Sequence, residues 1–311
     1  PLVEGLPPDR PVAVVIDPDP GPLYRLGEVR LEGAATPAAQ AAFDLRPGAP
    51  ARAAEVLAAG AAVLDALRED GFPLARVPPP DAVVDHGTRT LDVLYQAEPG
   101  PRLALGEVQV SGLDRLREGY VLRRLGLAAG EPYRPSRLEA ARRALLEGGA
   151  LAWARLTPGD TPDGQGRLPL TLEVAERPRR VLRLAGAWSS DEGGTLSTSW
   201  THRNLFGRAE QLTLRGEVGR LIENGPQALT YLANATLRIP DLWVRDLTLR
   251  LDLGAVSESL DAYDREAVTG GLALERRLSA QFSGSAGVAF ERSRVTQDGL
   301  EREVPVAGQR G

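Results

Sequence analysis

A fourteen-residue segment occurs twice in the first 112 residues of the chain. Pro20–Gly33, with the sequence PGPLYRLGEVRLEG, returns 79 residues later as Pro99–Gly112, with the sequence PGPRLALGEVQVSG. A period of this length indicates tandem domains, because solenoid repeats are typically about 20–50 residues long. The similarity ends with the second copy, so the chain combines small repeated modules with a different kind of structure.

Each copy continues with the same order of predicted elements. In the first copy, a strand at Gly27–Gly33 precedes a helix over Arg52–Asp70, whose apolar stripe includes Val56, Val63 and Leu67. The strands that close the copies are predicted at Leu74–Val84 and Thr90–Ala97, then at Leu151–Pro158 and Arg167–Ala175. We therefore predict two α+β modules with the order strand–helix–helix–strand–strand.

The first residues of the chain fit the same period. The apolar run Val12–Ile16 precedes Pro20 as Leu91–Tyr95 precedes Pro99. We therefore expect the first residues to be the last strand of a preceding module, which makes at least three modules in the intact protein. The predicted domains are 1–19 (tail of that module), 20–98 and 99–178 (two modules) and 179–311.

From residue 179 onward, apolar residues occupy every second position over long runs. Residues 229–239 have the sequence LTYLANATLRI, and residues 247–253 have the sequence LTLRLDL. Such alternation gives a strand one apolar face and one polar face. The runs are about 10 residues or longer, which exceeds the usual strand of a soluble sheet and matches a strand that crosses a bilayer. Strands are predicted at 180–189, 194–202, 209–221, 228–239, 245–257, 264–277 and 279–295.

These strands predict an antiparallel transmembrane β-barrel. We expect the barrel to be truncated after about seven strands, because a bacterial barrel has an even number of strands and at least eight of them. Trp188, Trp200, Trp243 and Tyr263 lie near the predicted strand ends, where interfacial aromatic residues occur in membrane proteins. A soluble antiparallel β-sandwich shows the same alternation and is the alternative. A membrane-spanning helix is not predicted, because the sequence has no run of 18 apolar residues.

The sequence offers few groups for chemistry. It contains no cysteine and only two histidines, His86 in a predicted polar turn and His202 in the barrel region. We therefore expect no catalytic residues, no metal site and no cofactor, and we interpret both histidines as structural. The net charge of −5 and the absence of a basic stripe argue against a nucleic-acid partner.

Specific segments resemble one known family. Residues 200–208, with the sequence WTHRNLFGR, resemble the R-N-L-F/L-G-R turn that follows an early barrel strand in the outer-membrane assembly superfamily of BamA and TamA. The module openings at Gly27 and Gly106 resemble the starts of the POTRA domains of that superfamily. Ala209 departs from the pattern, since the family often has glycine there. Three modules rather than five make the chain most similar to the TamA-like members.

The resemblance implies a non-enzymatic factor of the bacterial outer membrane, with POTRA domains in the periplasm. Its implied partners are the lipid bilayer, β-barrel clients such as autotransporters, and a periplasm-spanning TamB-like protein. A POTRA sheet edge can accept an added strand, and the first barrel strand would form one side of a lateral seam. The implied contact residues are Leu74, Ala75, Arg76, Ala152, Trp153, Ala154, Leu182 and Leu184, and the family turn consists of Arg203, Asn204, Leu205, Phe206 and Gly207.

Two other functions remain open on the sequence. One is a two-partner secretion pore, a family that usually has two modules and an N-terminal plug helix. The other is a soluble periplasmic scaffolding or binding protein that contains a β-sandwich.

Overall fold

The computed structural model of the protein describes residues 22–33, 36–190, 193–221, 229–260, 263–279, 281–297 and 300–310. It divides into two compact units, Pro1–Arg102 and Leu103–Gly311. The predicted tail of a preceding module, residues 1–19, lies outside the described residues. Among the helices described, none is both long enough and apolar enough to cross a bilayer.

The first unit contains the first predicted module, in the predicted order of elements. Its elements are β1 (Arg25–Glu32), α1 (Pro37–Ala42), α2 (Ala53–Glu69), β2 (Asp81–Asp85) and β3 (Thr90–Gln96). β3 is the central strand, parallel to β1 and antiparallel to β2. Tyr95 of β3 is buried against α2 and donates a hydrogen bond to the carbonyl of Val56 at 2.6 Å. Gly60 makes room for that ring, because a Cβ at position 60 would lie 2.6 Å from it.

The second module opens the second unit and has the same order. Its elements are β4 (Ala104–Ser111), α3 (Glu118–Leu125), α4 (Pro135–Glu147), β5 (Leu151–Pro158) and β6 (Arg167–Glu176), with β6 between β4 and β5. Leu125, Leu145 and Leu172 are among the side chains buried between the helices and the sheet. The predicted strand–helix–helix–strand–strand modules are therefore confirmed.

One predicted strand is displaced. Leu74, Ala75 and Arg76 were expected on the second strand of the first module, but β2 begins only at Asp81. Pro78, Pro79 and Pro80 precede it, and proline has no N–H for a sheet ladder. Of the three expected residues, Leu74 lies in a turn, Ala75 is buried, and Arg76 makes only an isolated bridge to Glu98.

The rest of the chain forms one antiparallel sheet in which each strand pairs with its neighbours in sequence. The strands are β7 (Arg180–Ser189), β8 (Gly193–Arg203), β9 (Gln211–Leu221), β10 (Thr230–Ile239), β11 (Leu247–Leu260), β12 (Tyr263–Arg277), β13 (Ser283–Gln297) and β14 (Leu300–Arg310). The alternation located the first seven to within a few residues. The eighth, β14, was not predicted, because its sequence LEREVPVAGQR lacks a clear apolar alternation and contains a proline.

The exposure of the two sheet faces is the reverse of that in a soluble protein. Leu253 and Val268 lie on the apolar face and are 66 % and 59 % exposed, whereas Ala267 on the opposite face is 4 % exposed. The opposite face also carries ion pairs between strands, including Arg238–Glu275 at 2.7 Å. No second sheet covers the apolar face within the described ranges, as a β-sandwich would require. A sheet with its apolar face outward is the arrangement of a membrane barrel.

Candidate functional site

The outer edge of β7 is the first candidate surface. β7 is the last strand on one side of the eight-stranded sheet and pairs only with β8 in the part of the chain that the structure describes. Arg203 donates its N–H to the carbonyl of Arg179 at 2.7 Å. Because the direction of the bonds alternates along an antiparallel strand, the N–H groups of Leu182 and Leu184 point to the free edge. Their side chains are 63 % and 72 % exposed on the apolar face.

The second candidate surface is the edge of the second module. Among the strands that the structure describes, β5 pairs with β6 alone, so Ala152, Trp153 and Ala154 lie on an edge strand, as expected. Trp153 is half exposed, whereas Ala154 points into the module core. The pairing with β6 is irregular between Leu151 and Trp153. In the first module the corresponding edge is β2, and it carries exposed Val83 and Val84.

The family turn connects β8 to β9 and is held by its own side chains. Asn204 has a positive φ of 68°, and its Oδ1 accepts a hydrogen bond from the N–H of Ala209 at 3.2 Å. A carboxylate oxygen of Glu210 accepts from the N–H groups of Phe206 and Arg208, at 3.0 and 3.1 Å. Asn204, Ala209 and Glu210 are all buried, so the turn is a fixed structure.

This turn is docked against the second module. The carbonyl of Gly207 accepts a hydrogen bond from the N–H of Arg117 at 2.8 Å. A Cβ at position 207 would lie 2.9 Å from Cγ of Arg117, so a glycine is needed for this approach. Ala209 packs into the hydrophobic core of the module. Its φ of 61° lies in the left-handed region, which glycine adopts more readily than alanine.

A buried ion cluster makes a further link between the module and the sheet. Arg124 of α3 is 9 % exposed, and one of its Nη atoms lies 2.6 Å from Asp241 and 2.8 Å from Asp246, both in the β10–β11 turn. Its Nε donates to the carbonyl of Ala144 at 3.1 Å. Burial alone would lower the pKa of Arg124, but the two carboxylates outweigh it and raise that pKa.

Tyr120 lies beside this cluster. Burial, and then the negative charge of Asp241, raise the pKa of its hydroxyl, so the phenol stays neutral. The sequence did not predict this cluster of Tyr120, Arg124, Asp241 and Asp246, because the residues are far apart in sequence and form no motif. The only available signal was an arginine within an apolar helix face.

Glu176 fixes the loop that leads into α3. One of its carboxylate oxygens accepts hydrogen bonds from the N–H groups of Asp114, Arg115 and Leu116, at 2.9, 2.8 and 2.8 Å. Burial would raise the pKa of Glu176, but these three donors hold it below its ordinary value. This loop contains Arg117, which contacts the family turn.

A cavity of about 670 Å³ lies between the module and the ends of the strands. Gly148 and Gly149 line it from the module, and Arg238, Glu275 and Arg277 are among the residues that line it from the sheet. Arg277 is also ion-paired with Glu147 of α4. Charged side chains therefore surround the space beneath the polar face of the sheet.

The two histidines lie apart. His86 accepts or donates a hydrogen bond with the hydroxyl of Tyr24 at 2.6 Å, at an exposed turn, and His202 lies on β8. No cluster of three potential metal ligands occurs among the residues that the structure describes.

Comparisons with known proteins agree with the fold. No family model matches the chain. It is 24 % identical over 220 residues to the outer membrane protein assembly factor BamA of Neisseria meningitidis, which covers 68 % of this chain and 27 % of the relative. The chain thus spans about a quarter of the length of that protein.

Two solved structures have the same fold. A crystal structure of BamA from Haemophilus ducreyi lacking POTRA domains 1–3 has a TM-score of 0.72 at 15 % identity, and covers 88 % of this chain and 52 % of that one. CdiB from Acinetobacter baumannii has a TM-score of 0.53 at 14 % identity, and the match covers 98 % of this chain and 61 % of the CdiB chain. The modules therefore have a POTRA-like fold, and β7–β14 have the fold of part of a membrane β-barrel.

Proposed function

We propose that this chain, which belongs to the BamA superfamily, is part of a non-enzymatic factor that assembles β-barrel proteins in the outer membrane. The outer edge of β7, one side of the seam expected where the barrel closes, carries this proposal. When that seam opens, its N–H groups at Leu182 and Leu184 can pair with a strand of a client protein, and their side chains face the lipid, where a client must enter.

The unpaired backbone groups of a strand edge in lipid strongly favour pairing with another strand. Backbone groups without a partner in the hydrocarbon region cost several kcal/mol each, because no water is present to bond them. An incoming client strand satisfies these groups at once, whatever its sequence, because the bonds join main chains. This explains how one factor would accept many clients.

Site-specific cross-linking tests the proposal. The sequence contains no cysteine, so Leu182→Cys and Leu184→Cys each introduce a single thiol in the full-length protein. We expect both to form disulfides with cysteines in the terminal strand of a barrel client during its assembly. Absence of adducts at both positions, in protein that is correctly folded, would contradict the proposal.

Ser199→Cys is the matched control, because Ser199 lies opposite Arg183 on the polar face of β8. A secretion pore passes its substrate through the lumen, so it predicts adducts at Ser199 instead of at β7. The likeness to CdiB makes this the second candidate, and the same experiment decides between the two.

We further propose that the protein is TamA-like and that its modules bind a periplasm-spanning TamB-like partner. The partner would add a strand to β5, where Trp153 is half exposed, or to β2, where Val83 and Val84 are exposed. Replacing Trp153 with aspartate would weaken such a complex without changing the client adducts at β7. Pull-down of the partner by the wild-type and variant proteins measures this effect.

A further inference from the structure

Arg276 occupies an unusual position on the lipid-facing side of the sheet. It follows the apolar residues Leu272 and Leu274 on the same face of β12 and pairs directly with Leu247 of β11. Its row is the next one on this face after Leu274 and Leu249, at the end of the sheet where the module is docked. Because the POTRA-like module is docked at this end, we expect the periplasmic boundary of the hydrocarbon region here.

Exposed apolar side chains flank this position. Leu278 and Phe282, in the β12–β13 turn, are 68 % and 69 % exposed, and the N–H of Leu278 donates to the carbonyl of Phe282 at 2.9 Å. Trp243, in the β10–β11 turn that leads into β11, is 76 % exposed. Such side chains would contact water in a soluble protein, but at a membrane boundary we expect them to contact acyl chains and glycerol groups.

The other arginines of this region have acidic partners. Arg277 is paired with Glu147, Arg245 with Asp246 and Arg238 with Glu275. Arg276 is exposed and has no ion pair among the described residues. It is one of the residues that line the cavity between the module and the strand ends, and its position on β12 places it on the apolar face. A guanidinium at a membrane boundary can donate charge-assisted hydrogen bonds to the phosphate of a lipid headgroup.

We propose that Arg276, Leu278 and Phe282 bind the headgroup of an anionic phospholipid in the periplasmic leaflet. The guanidinium donates to the phosphate, and the apolar pair packs against the glycerol and the start of the acyl chains. Arg276 lies close to the strand ends that dock the module. A lipid bound there therefore holds the module–barrel junction at a fixed depth in the leaflet. This inference depends on the lipid-facing orientation of β12 and not on client assembly.

The first test measures lipid binding. The full-length protein, purified in a neutral detergent, is titrated with phosphatidylglycerol, and bound lipid is counted by native mass spectrometry. We expect Arg276→Ala to weaken the tightest binding by about fivefold, as estimated for the loss of one cation near an anionic surface. Arg276→Lys should retain most of the affinity. If Arg276→Ala does not fold, Arg276→Gln replaces it with the same expected loss.

Arg215→Ala is the matched control, because it removes the same charge from the polar face, where Arg215 is paired with Glu217. It should leave lipid binding unchanged. Inorganic phosphate should not displace the lipid, because it lacks the apolar contacts. Equal binding by Arg276→Ala and wild type, or displacement by phosphate, would overturn the proposal.

The second test measures depth. A nitroxide attached at Phe282→Cys should be accessible to oxygen dissolved in the bilayer and protected from a water-soluble nickel reagent. A label at Ser285→Cys, on the polar face of β13, should show the opposite preference. A water-exposed label at position 282 in reconstituted protein would contradict the proposed site.

Discussion

Replacement of Arg124 with alanine tests how the second module is attached to the barrel. Arg124 is 9 % exposed and contacts Asp241 and Asp246, whose side chains are 14 % and 30 % exposed. The variant removes two charge-assisted hydrogen bonds across the junction. It also leaves Asp241 buried, with the N–H of Asp246 at 2.8 Å as a remaining donor.

The expected cost follows from this burial. Removing one member of a buried ion pair typically destabilises a protein by about 3–5 kcal/mol, because the partner charge is left uncompensated. Asp246 is partly exposed and can be rehydrated, so we take the lower end, about 3 kcal/mol. Since about 1.4 kcal/mol corresponds to a factor of ten, the junction should open about a hundredfold more often.

Hydrogen exchange of the reconstituted protein measures this opening. Amides of α3 and of the β10–β11 turn should exchange about a hundredfold faster in Arg124→Ala. Arg142→Ala is the control, because Arg142 forms an exposed pair with Glu139 on α4, and such pairs contribute about 0–1 kcal/mol. An increase of less than threefold at both sites in Arg124→Ala would refute the view that this cluster holds the junction.

Three further outcomes are expected. Gly207→Ala should reduce the free energy that holds the same junction closed by about 1–3 kcal/mol, because φ at position 207 is +93° and a Cβ would press on Arg117. Faster hydrogen exchange of the α3 amides would show this loss. Glu176 has a pKa below its ordinary value of 4.5, so the stability that its ionised carboxylate contributes is fully present above pH 4.5 and is lost as the pH falls through the lowered pKa. The protection of the three amides that it binds against hydrogen exchange should fall over the same pH range. Glu176→Gln should remove this pH dependence. Tyr95→Phe should destabilise the first module by about 1 kcal/mol through the lost bond to Val56, which the exchange of α2 amides would report.

The long-range pattern of the sequence predicted the architecture well. The repeat located both modules because each copy must bury the same helix faces on the same sheet, as Val56 and Val63 of α2 show. The alternation located seven barrel strands because one face of each must be apolar. The displaced strand in the first module arose because Val77 and the three prolines after it look apolar, although proline cannot join a ladder. The eighth strand, β14, was not predicted because the apolar alternation in its sequence is weak.

The junction could not be predicted in the same way. Arg124, Asp241 and Asp246 come together only when α3 packs beneath the barrel, and no local rule places an arginine next to acids more than 100 residues away. The family turn was identified by resemblance, but its docking depends on Arg117 and on the fit of Ala209 into the module core. Such tertiary contacts have no periodicity to detect.

The central claim is that a client strand pairs with the outward N–H groups of β7, and a proline substitution tests it most directly. Leu182→Pro removes an N–H that points to the free edge and leaves the bonds to β8 intact, since edge positions tolerate proline. Leu182→Ala keeps that N–H and is the control. The full-length proteins are reconstituted in vesicles, and the folded fraction of a urea-denatured barrel client is measured. We predict that Leu182→Pro is well folded and assembles much less client than Leu182→Ala. Equal client assembly by the two variants would contradict the claim.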